Sequence, residues 1–336
     1  MKSYFEDARM KNKGIVIFLI VLAVVIVGVM VVDWNSKRPD RMEANKFEYN
    51  VDEFRKVPEE LIQYKEVRNF KVGFDNPEGI TISGDMIYLV GDQKLKVIDT
   101  SGQLIMEADF EVKPTTVEVG PDNIYVAFEK SVKVLNKDGQ EQEEWKLDGE
   151  NTYVTAIAEK EGHVFVADAG NRKIYRFTTD GNLVNEFEGK ADADDLHGFI
   201  IPSPYFDIDV NAYGDLWVVN PGTHTMEQYT DEGNLREHWQ ASGAQTENFS
   251  GCCNPAHFCF LEDGSFVTSE KGLVRVKIYK PSGEFSGVVA PPNKFDVKLE
   301  GQAPDVEADS QGNIYALDFD RKLLRVFEKN KNKESD

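Results

Sequence analysis

AIAEKEGHVFVADAGNRKIYRFTTDGNLV, residues 156–184, contains a complete structural unit. A short alternating strand leads into a Glu161-Gly162 turn. An aromatic-bearing strand (VFVAD) follows, then a polar turn at Gly170-Asn171, a third strand (IYRFT) and an Asp180-Gly181 turn into a fourth. Alternation of apolar and polar residues is the signature of a half-buried strand. Gly, Asn and Asp occur at the turns because tight hairpins require residues that tolerate positive φ.

The same grammar recurs at residues 80–105, 117–142, 208–236, 258–286 and 306–330. Each copy carries an aromatic residue early in its second strand: Tyr88, Tyr125, Phe165, Trp217, Phe266 and Tyr315. Their spacing of 37, 40, 52, 49 and 49 residues matches the ~40–50 expected of four-stranded propeller blades. A β-sandwich would not repeat a four-strand unit. The expected fold is therefore all-β, a six-bladed β-propeller over residues 65–330. The last copy stops after three strands, at a charged tail (331–336), while YKEVRNFKVGF near residue 66 has the form of an outer strand. Ring closure is expected from residues 66–73 completing blade six, which removes an exposed sheet edge.

In Asp168, Asn171, Arg172 and the Asp180-Gly181 turn, the third copy resembles the NHL repeat; the other copies keep its strand grammar with weaker motifs. Blade four has Asn220-Pro221 in place of Asp168-Ala169. The resemblance covers about residues 66–330 and implies the six-bladed architecture. It does not fix an activity, because NHL propellers serve as binding platforms, lyases and other enzymes. The expected role of Asp168, Asn171 and Arg172 is to stabilise their turn.

Ahead of the repeats, GIVIFLIVLAVVIVGVMVV (14–32) is free of charge over 19 residues. That is enough for a single transmembrane helix. The run exceeds a signal-peptide core and no small-x-small cleavage site follows; Trp34 suits a membrane interface. Lys2, Arg9, Lys11 and Lys13 precede it and Lys37, Arg38, Arg41 and Lys46 follow it, so flanking charge does not decide orientation. An uncleaved signal anchor ordinarily exports the long domain behind it. The expectation is a short inner tail (1–13), a stalk (33–64) and an extracytoplasmic propeller. A formal charge of −21 excludes nucleic acid as a natural partner, since phosphate binding needs clustered Lys and Arg. The expected partners are the membrane, through 14–32, and another membrane or envelope protein.

Three connections are longer than the rest: 189–204, 241–255 and 291–304. Each joins an outer strand to the next inner strand, so all three emerge on one face, where binding and catalysis accumulate. The second leads into a segment that holds every cysteine, Cys252-Cys253-Asn254-Pro255-Ala256-His257-Phe258-Cys259. Three chemistries fit this cluster. One is a disulfide of Cys259 with Cys252 or Cys253. Another is a zinc, copper or iron–sulfur site using Cys252, Cys253, His257 and Cys259. The last is thiol–disulfide exchange by the vicinal pair. His257 and Cys259 share strand parity, whereas Cys252 and Cys253 precede the strand. In the first loop, Asp192, Asp194 and Asp195 offer calcium ligands or simply a solvated acidic segment. His197 is a secondary candidate, because NHL-like amidating lyases hold a metal through histidines near the axis.

No phosphate-binding Gly-rich loop, nucleophile elbow or HExxH motif is present. Two function classes remain. One is a non-enzymatic binding platform in the cell envelope. The other is a redox or metal centre serving a membrane electron-transfer or thiol-redox assembly, with a metal-dependent lyase-like enzyme as a minor variant.

Overall fold

The computed structural model of the chain describes residues 16–30, 54–190, 198–295 and 301–330. The chain divides into two units, Met1–Val51 and Asp52–Asp336. In the first, residues 16–30 are helical with exposed side chains. A helix of this length rises only about 22 Å, against ~30 Å of hydrocarbon core. No described helix is long and apolar enough to cross a membrane. Both ends of the expected 14–32 span lie outside the described residues.

The second unit begins with a 3-10 turn at Glu59–Leu61 and strand β1 (Tyr64–Lys71). Blade one is β2 (Pro77–Ser83), β3 (Met86–Gly91), β4 (Lys94–Asp99) and β5 (Leu104–Asp109). Blade two is β6 (Thr116–Val119), β7 (Asn123–Phe128), β8 (Ser131–Asn136) and β9 (Glu141–Lys146). Blade three is β10 (Val154–Lys160), β11 (His163–Asp168), β12 (Lys173–Thr178) and β13 (Leu183–Phe187). Blade four is β14 (Ile208–Val210), β15 (Leu216–Asn220), β16 (Thr225–Tyr229) and β17 (Leu235–Gln240). Blade five is β18 (His257–Phe260), β19 (Phe266–Glu270), β20 (Arg275–Tyr279) and β21 (Phe285–Ala290). Blade six is β22 (Asp305–Ala308), β23 (Ile314–Asp318) and β24 (Leu323–Lys329), completed by β1. All six sheets are four-stranded and antiparallel, the six-bladed propeller expected from the repeats.

Closure by β1 begins at Tyr64↔Lys329, two residues ahead of the expected position. The end of the expected stalk packs on the propeller rim: Gln63 donates its backbone N–H to Val288 O (2.9 Å) and its amide to Ser286 O (2.6 Å), both on β21.

Apolar packing is organised in six layers, each shared by neighbouring blades. Ala156 and Phe165 of blade three meet Ile208 and Leu216 of blade four. Val276 and Val289 of blade five meet Val306 and Phe327 of blade six. A fully buried Phe or Leu contributes about 1.5–3 kcal/mol, and that contribution depends on the adjacent blade, because each layer is filled from two blades. The aromatic anchors Tyr88, Tyr125, Phe165, Trp217 and Tyr315 each pack towards the following blade. Blade five departs from the row. There Val267 occupies the anchor register, and Phe266, one residue earlier, points back at Trp217 of blade four with ring centroids 4.8 Å apart. The strand period of two reverses the face with a single-residue offset.

Five blades pin the connection that enters them with an acceptor at or just beyond the end of their second strand. Asp92 Oδ1 takes Asn76 N–H, Asp168 Oδ1 takes Tyr153 N–H, and Asn220 Oδ1 takes Ile200 N–H. Glu270 Oε1 takes Ser250 N–H and Asp320 Oδ2 takes Gln302 N–H. Asp168 also accepts from Gly170 N, Asn171 N and Asn171 Nδ2. The NHL-like residues therefore stabilise a turn, with Arg172 at φ 59°.

Arg325, 2% exposed, locks the closure. It donates to Glu66 Oε2 (2.6 Å) on β1, to Asp318 Oδ2 (3.3 Å) and to Lys294 O (3.1 Å), and lies over the Phe295 ring. Partial burial opposes ionisation of Glu66, but Arg325 and Asn69 hold its carboxyl below the usual range. Arg325→Ala leaves Glu66 and Asp318 uncompensated and is expected to cost about 3–5 kcal/mol, measured as the loss of urea stability. Asp85→Ala, an exposed turn position, should leave stability within about 0.5 kcal/mol.

Candidate functional site at the propeller axis

The inner strands bring two rows of equivalent positions to the axis. The row opposite the aromatic anchors is Thr81, Glu118, Ala158, Asp209, Cys259 and Glu307, from blades one to six. Two residues earlier the row reads Gly79, Thr116, Ala156, Asp207, His257 and Asp305. In this earlier row blades one to three supply small or neutral residues, and blades four to six supply Asp, His and Asp. The ionisable groups are thus concentrated beside the three long connections.

A cavity of about 200 Å³ lies on the axis and is lined from all six blades. Thr115, Tyr153, Tyr205 and Gln302 of the inter-blade connections contribute to it, so it opens on the face where those connections emerge. Thr115 Oγ1 is buried there without a protein hydrogen-bond partner.

Asp207, His257 and Asp305 place ligand atoms within 4.8 Å of one another, and no other such trio of His, Cys, Asp or Glu occurs among the described residues. His257 Nδ1 lies 3.7 Å from Asp207 Oδ2 and 3.6 Å from Asp305 Oδ1. Backbone donors fix both carboxylates. Asp207 accepts from Phe258 N (2.9 Å) and Ile208 N (3.0 Å); Asp305 accepts from Ile80 N (3.0 Å) and Val306 N (2.9 Å). The bonds from Phe258 and Ile80 stitch blade four to five and blade six to one, and each oxygen keeps a lone pair for a ligand. The imidazole is flanked by the Tyr205 ring at 5.4 Å and the Phe319 ring at 6.3 Å.

Electrostatics around the axis favour proton uptake. Burial pushes Asp305 up to about 6, against the pull of His257. Burial also opposes the charge on His257, but Asp305 and Asp207 outweigh it and raise the imidazole above its usual value. In the second row, burial raises Glu118 to about 7 and drives Asp209 and Glu307 well above the usual carboxylate range, each reinforced by its acidic neighbours.

The four expected Cys/His ligands do not converge. His257 faces the two aspartates, while Cys259 is packed with Tyr64, Val267 and Val306, and burial drives its thiol well up. Cys252 is exposed, Cys253 is buried, and all three cysteines are thiols. Cys252 and Cys253 lie with their sulfurs 3.2 Å apart. No three of Cys252, Cys253, His257 and Cys259 place ligand atoms within 4.8 Å of one another. The strand parity of His257 and Cys259 holds, but the step of two residues along the axis takes the first into the cavity and the second into the core. Asp192, Asp194, Asp195 and His197 lie outside the described residues.

A buried ionic cluster anchors the cysteine loop. Glu270, Arg275 and Lys277 are each fully buried. Arg275 is paired with Glu270 and donates to Asn248 O (3.2 Å); Lys277 donates to the same carbonyl (2.9 Å) and lies over the Phe249 ring. Asn254 ties the loop to the second strand, donating to Ser250 O and Lys271 O while accepting from Lys271 N. Charges buried on a strand are costly unless fully partnered, and here the partners of both cations are Glu270 and the loop carbonyl of Asn248. Asp207, Asp209, Asp305 and Glu307 carried a readable signal as well: acids two apart on the innermost strands share a face.

No protein-family model matches the chain, and no curated protein matches it. Solved structures with the same fold include a streptogramin B lyase, 15% identical, covering 81% of this chain and 100% of that chain at a TM-score of 0.58. A virginiamycin B lyase from Staphylococcus aureus is 14% identical over 80% of this chain and 100% of that one, at 0.57. The WD40 β-propeller domain of Doa1 is 11% identical over 80% and 98%, at 0.52. At these identities the likeness establishes the propeller fold alone.

The raised axial groups predict how stability varies with pH. With divalent ions chelated, the folded state holds protons that the unfolded chain has released, so stability falls as pH rises from about 4.5 to 7. The slope is about 1.4 kcal/mol per pH unit for each extra proton held. Urea midpoints at pH 5 and 7.5 should show the decline, and Glu118→Gln should flatten it.

Proposed function

We propose that this chain is a membrane-tethered binding platform on the extracytoplasmic side of the cell envelope, and that its ligand docks at the axial mouth through a divalent cation. The observation that carries this reading is the Asp207–His257–Asp305 trio at a cavity built from all six blades. Two carboxylates and an imidazole are a borderline-hard donor set suited to zinc or manganese. The cation would supply an electrophilic point for a carboxylate, phosphate or carbonyl oxygen. The protein would supply position, through the four backbone bonds to Asp207 and Asp305, and shape, through Tyr205 and Phe319. The tether rests on the apolar run 14–32. Confinement near the bilayer raises the effective concentration of the propeller for membrane partners.

Lyase-like catalysis is the second reading, favoured by one observation: the His257 imidazole lines the cavity with its proton affinity raised by Asp305 and Asp207. It predicts turnover of a bound ligand that His257→Gln stops without abolishing binding, whereas the platform predicts binding alone.

Titration calorimetry with zinc and manganese tests the cation. Asp207→Asn and Asp305→Asn should each weaken binding at least about tenfold. Because a bound cation displaces protons from His257 and Asp305, affinity should fall by about tenfold per pH unit per displaced proton below pH 6. Unchanged binding in both variants would move the cation elsewhere and sink the reading. For topology, alkaline phosphatase fused after residue 330 should be active in intact cells; inactivity would place the propeller in the cytoplasm.

A further inference from the structure

We propose that Cys252 and Cys253 form a redox-active vicinal dithiol that exchanges with disulfide-bearing partners, with Cys252 as the entry thiol and Cys253 as the resolving thiol. The inference is independent of the cation site.

Geometry assigns the two roles. Cys252 is exposed and Cys253 is 2% exposed, so only the first is open to an incoming disulfide. Their sulfurs are 3.2 Å apart, within reach for attack of one on the other. The surroundings of Cys253 are built to hold a thiolate. Although burial opposes its charge, hydrogen bonds from Ser203, Cys252 and the Lys271 ammonium lower its pKa, while Cys252 is raised by its neighbour. Lys271 is itself held, 3.3 Å from Ser203 Oγ and over the Tyr205 ring at 5.0 Å. A thiol beside an ammonium is the microenvironment that separates reactive cysteines from inert buried ones. Cys259 is of the inert kind.

The loop holds the pair in place. Asn254, the residue after Cys253, is itself locked to Ser250 and Lys271 through its side-chain amide. His224 contacts Gly251 O, immediately before Cys252, and Ser242 Oγ.

The chemistry balances as two exchanges. The Cys252 thiol passes its proton to the Cys253 thiolate 3.2 Å away and attacks a disulfide R–S–S–R′, forming Cys252–S–S–R and releasing R′S⁻, which takes that proton back from Cys253 and leaves as R′SH. The Cys253 thiolate then attacks Cys252 Sγ, expels RS⁻ as RSH and closes the Cys252–Cys253 disulfide. Two electrons pass from the pair to the external disulfide; the Cys252 proton ends on R′SH, and RS⁻ takes its proton from water. The eight-membered ring so formed is strained, which makes it readily reduced and suits a bond that cycles.

The test uses the full chain in detergent, reduced and then treated with excess oxidised glutathione, with the intact mass read before and after. The expected product is lighter by two hydrogens, carries no glutathione, has lost two of the three thiols counted after unfolding and is restored by dithiothreitol. Cys253→Ser should instead trap one glutathione on Cys252, and Cys252→Ser should stay unmodified while folded. Lys271→Met should move the pH midpoint of ring closure upward by about one unit. A wild-type chain that keeps a stable glutathione adduct, or does not react while folded, overturns the proposal without reference to any variant. An unshifted midpoint in Lys271→Met overturns the part given to that residue.

Discussion

Hydrogen bonds from the incoming connections to polar groups around the second-strand ends control what this propeller presents. A blade's apolar faces fix it against its neighbours but say nothing about the chain crossing between them. Asp92, Asp168, Asn220, Glu270 and Asp320 settle that by accepting N–H groups from the entering segment. With five of the six connections pinned in this way, the following inner strands begin at a set height, and residues from six blades meet in two level rows. A buried acceptor left unsatisfied costs about 1–3 kcal/mol, so the buried anchors Asp168, Asn220 and Glu270 also penalise wrong crossings.

On that framework the two halves of the ring have different jobs. Blades one to three place Gly79, Thr116 and Ala156 in the earlier axial row, and short connections join them. Blades four to six place Asp207, His257 and Asp305 there, under long connections. The cysteine pair belongs to the same half, and Tyr205 is shared by the two centres: its ring meets the His257 imidazole edge-on at 5.4 Å and receives the Lys271 ammonium at 5.0 Å. A ligand seated in the cavity would therefore sit one aromatic ring away from the thiols.

Much of the fold was legible in the sequence because it is written as a repeat. Turn residues, strand alternation and the aromatic row are local signals, and they gave six blades and closure through the first strand. The row failed where one residue of offset sent Phe266 to the opposite face and left Val267 in its place. The site was less legible, because it is assembled across blades: Asp207, His257 and Asp305 are far apart in the chain, and only the ring makes them neighbours. Proximity in sequence pointed instead to His257 with Cys259. Those two share a side of the strand but not a depth along the axis. The vicinal thiols were readable directly, being adjacent, but Lys271 and Ser203 beside them were not.

The closing strand has a consequence for the order of assembly. Glu66 and Arg325 are 259 residues apart, so β1 is made first and its pairing partner last. Contacts so distant in sequence form slowly. For an exported chain, the N-terminal strand would cross early and wait unpaired while five blades gather behind it. A tether just upstream would keep that strand at the membrane surface until β24 arrives, away from the edges of other nascent chains.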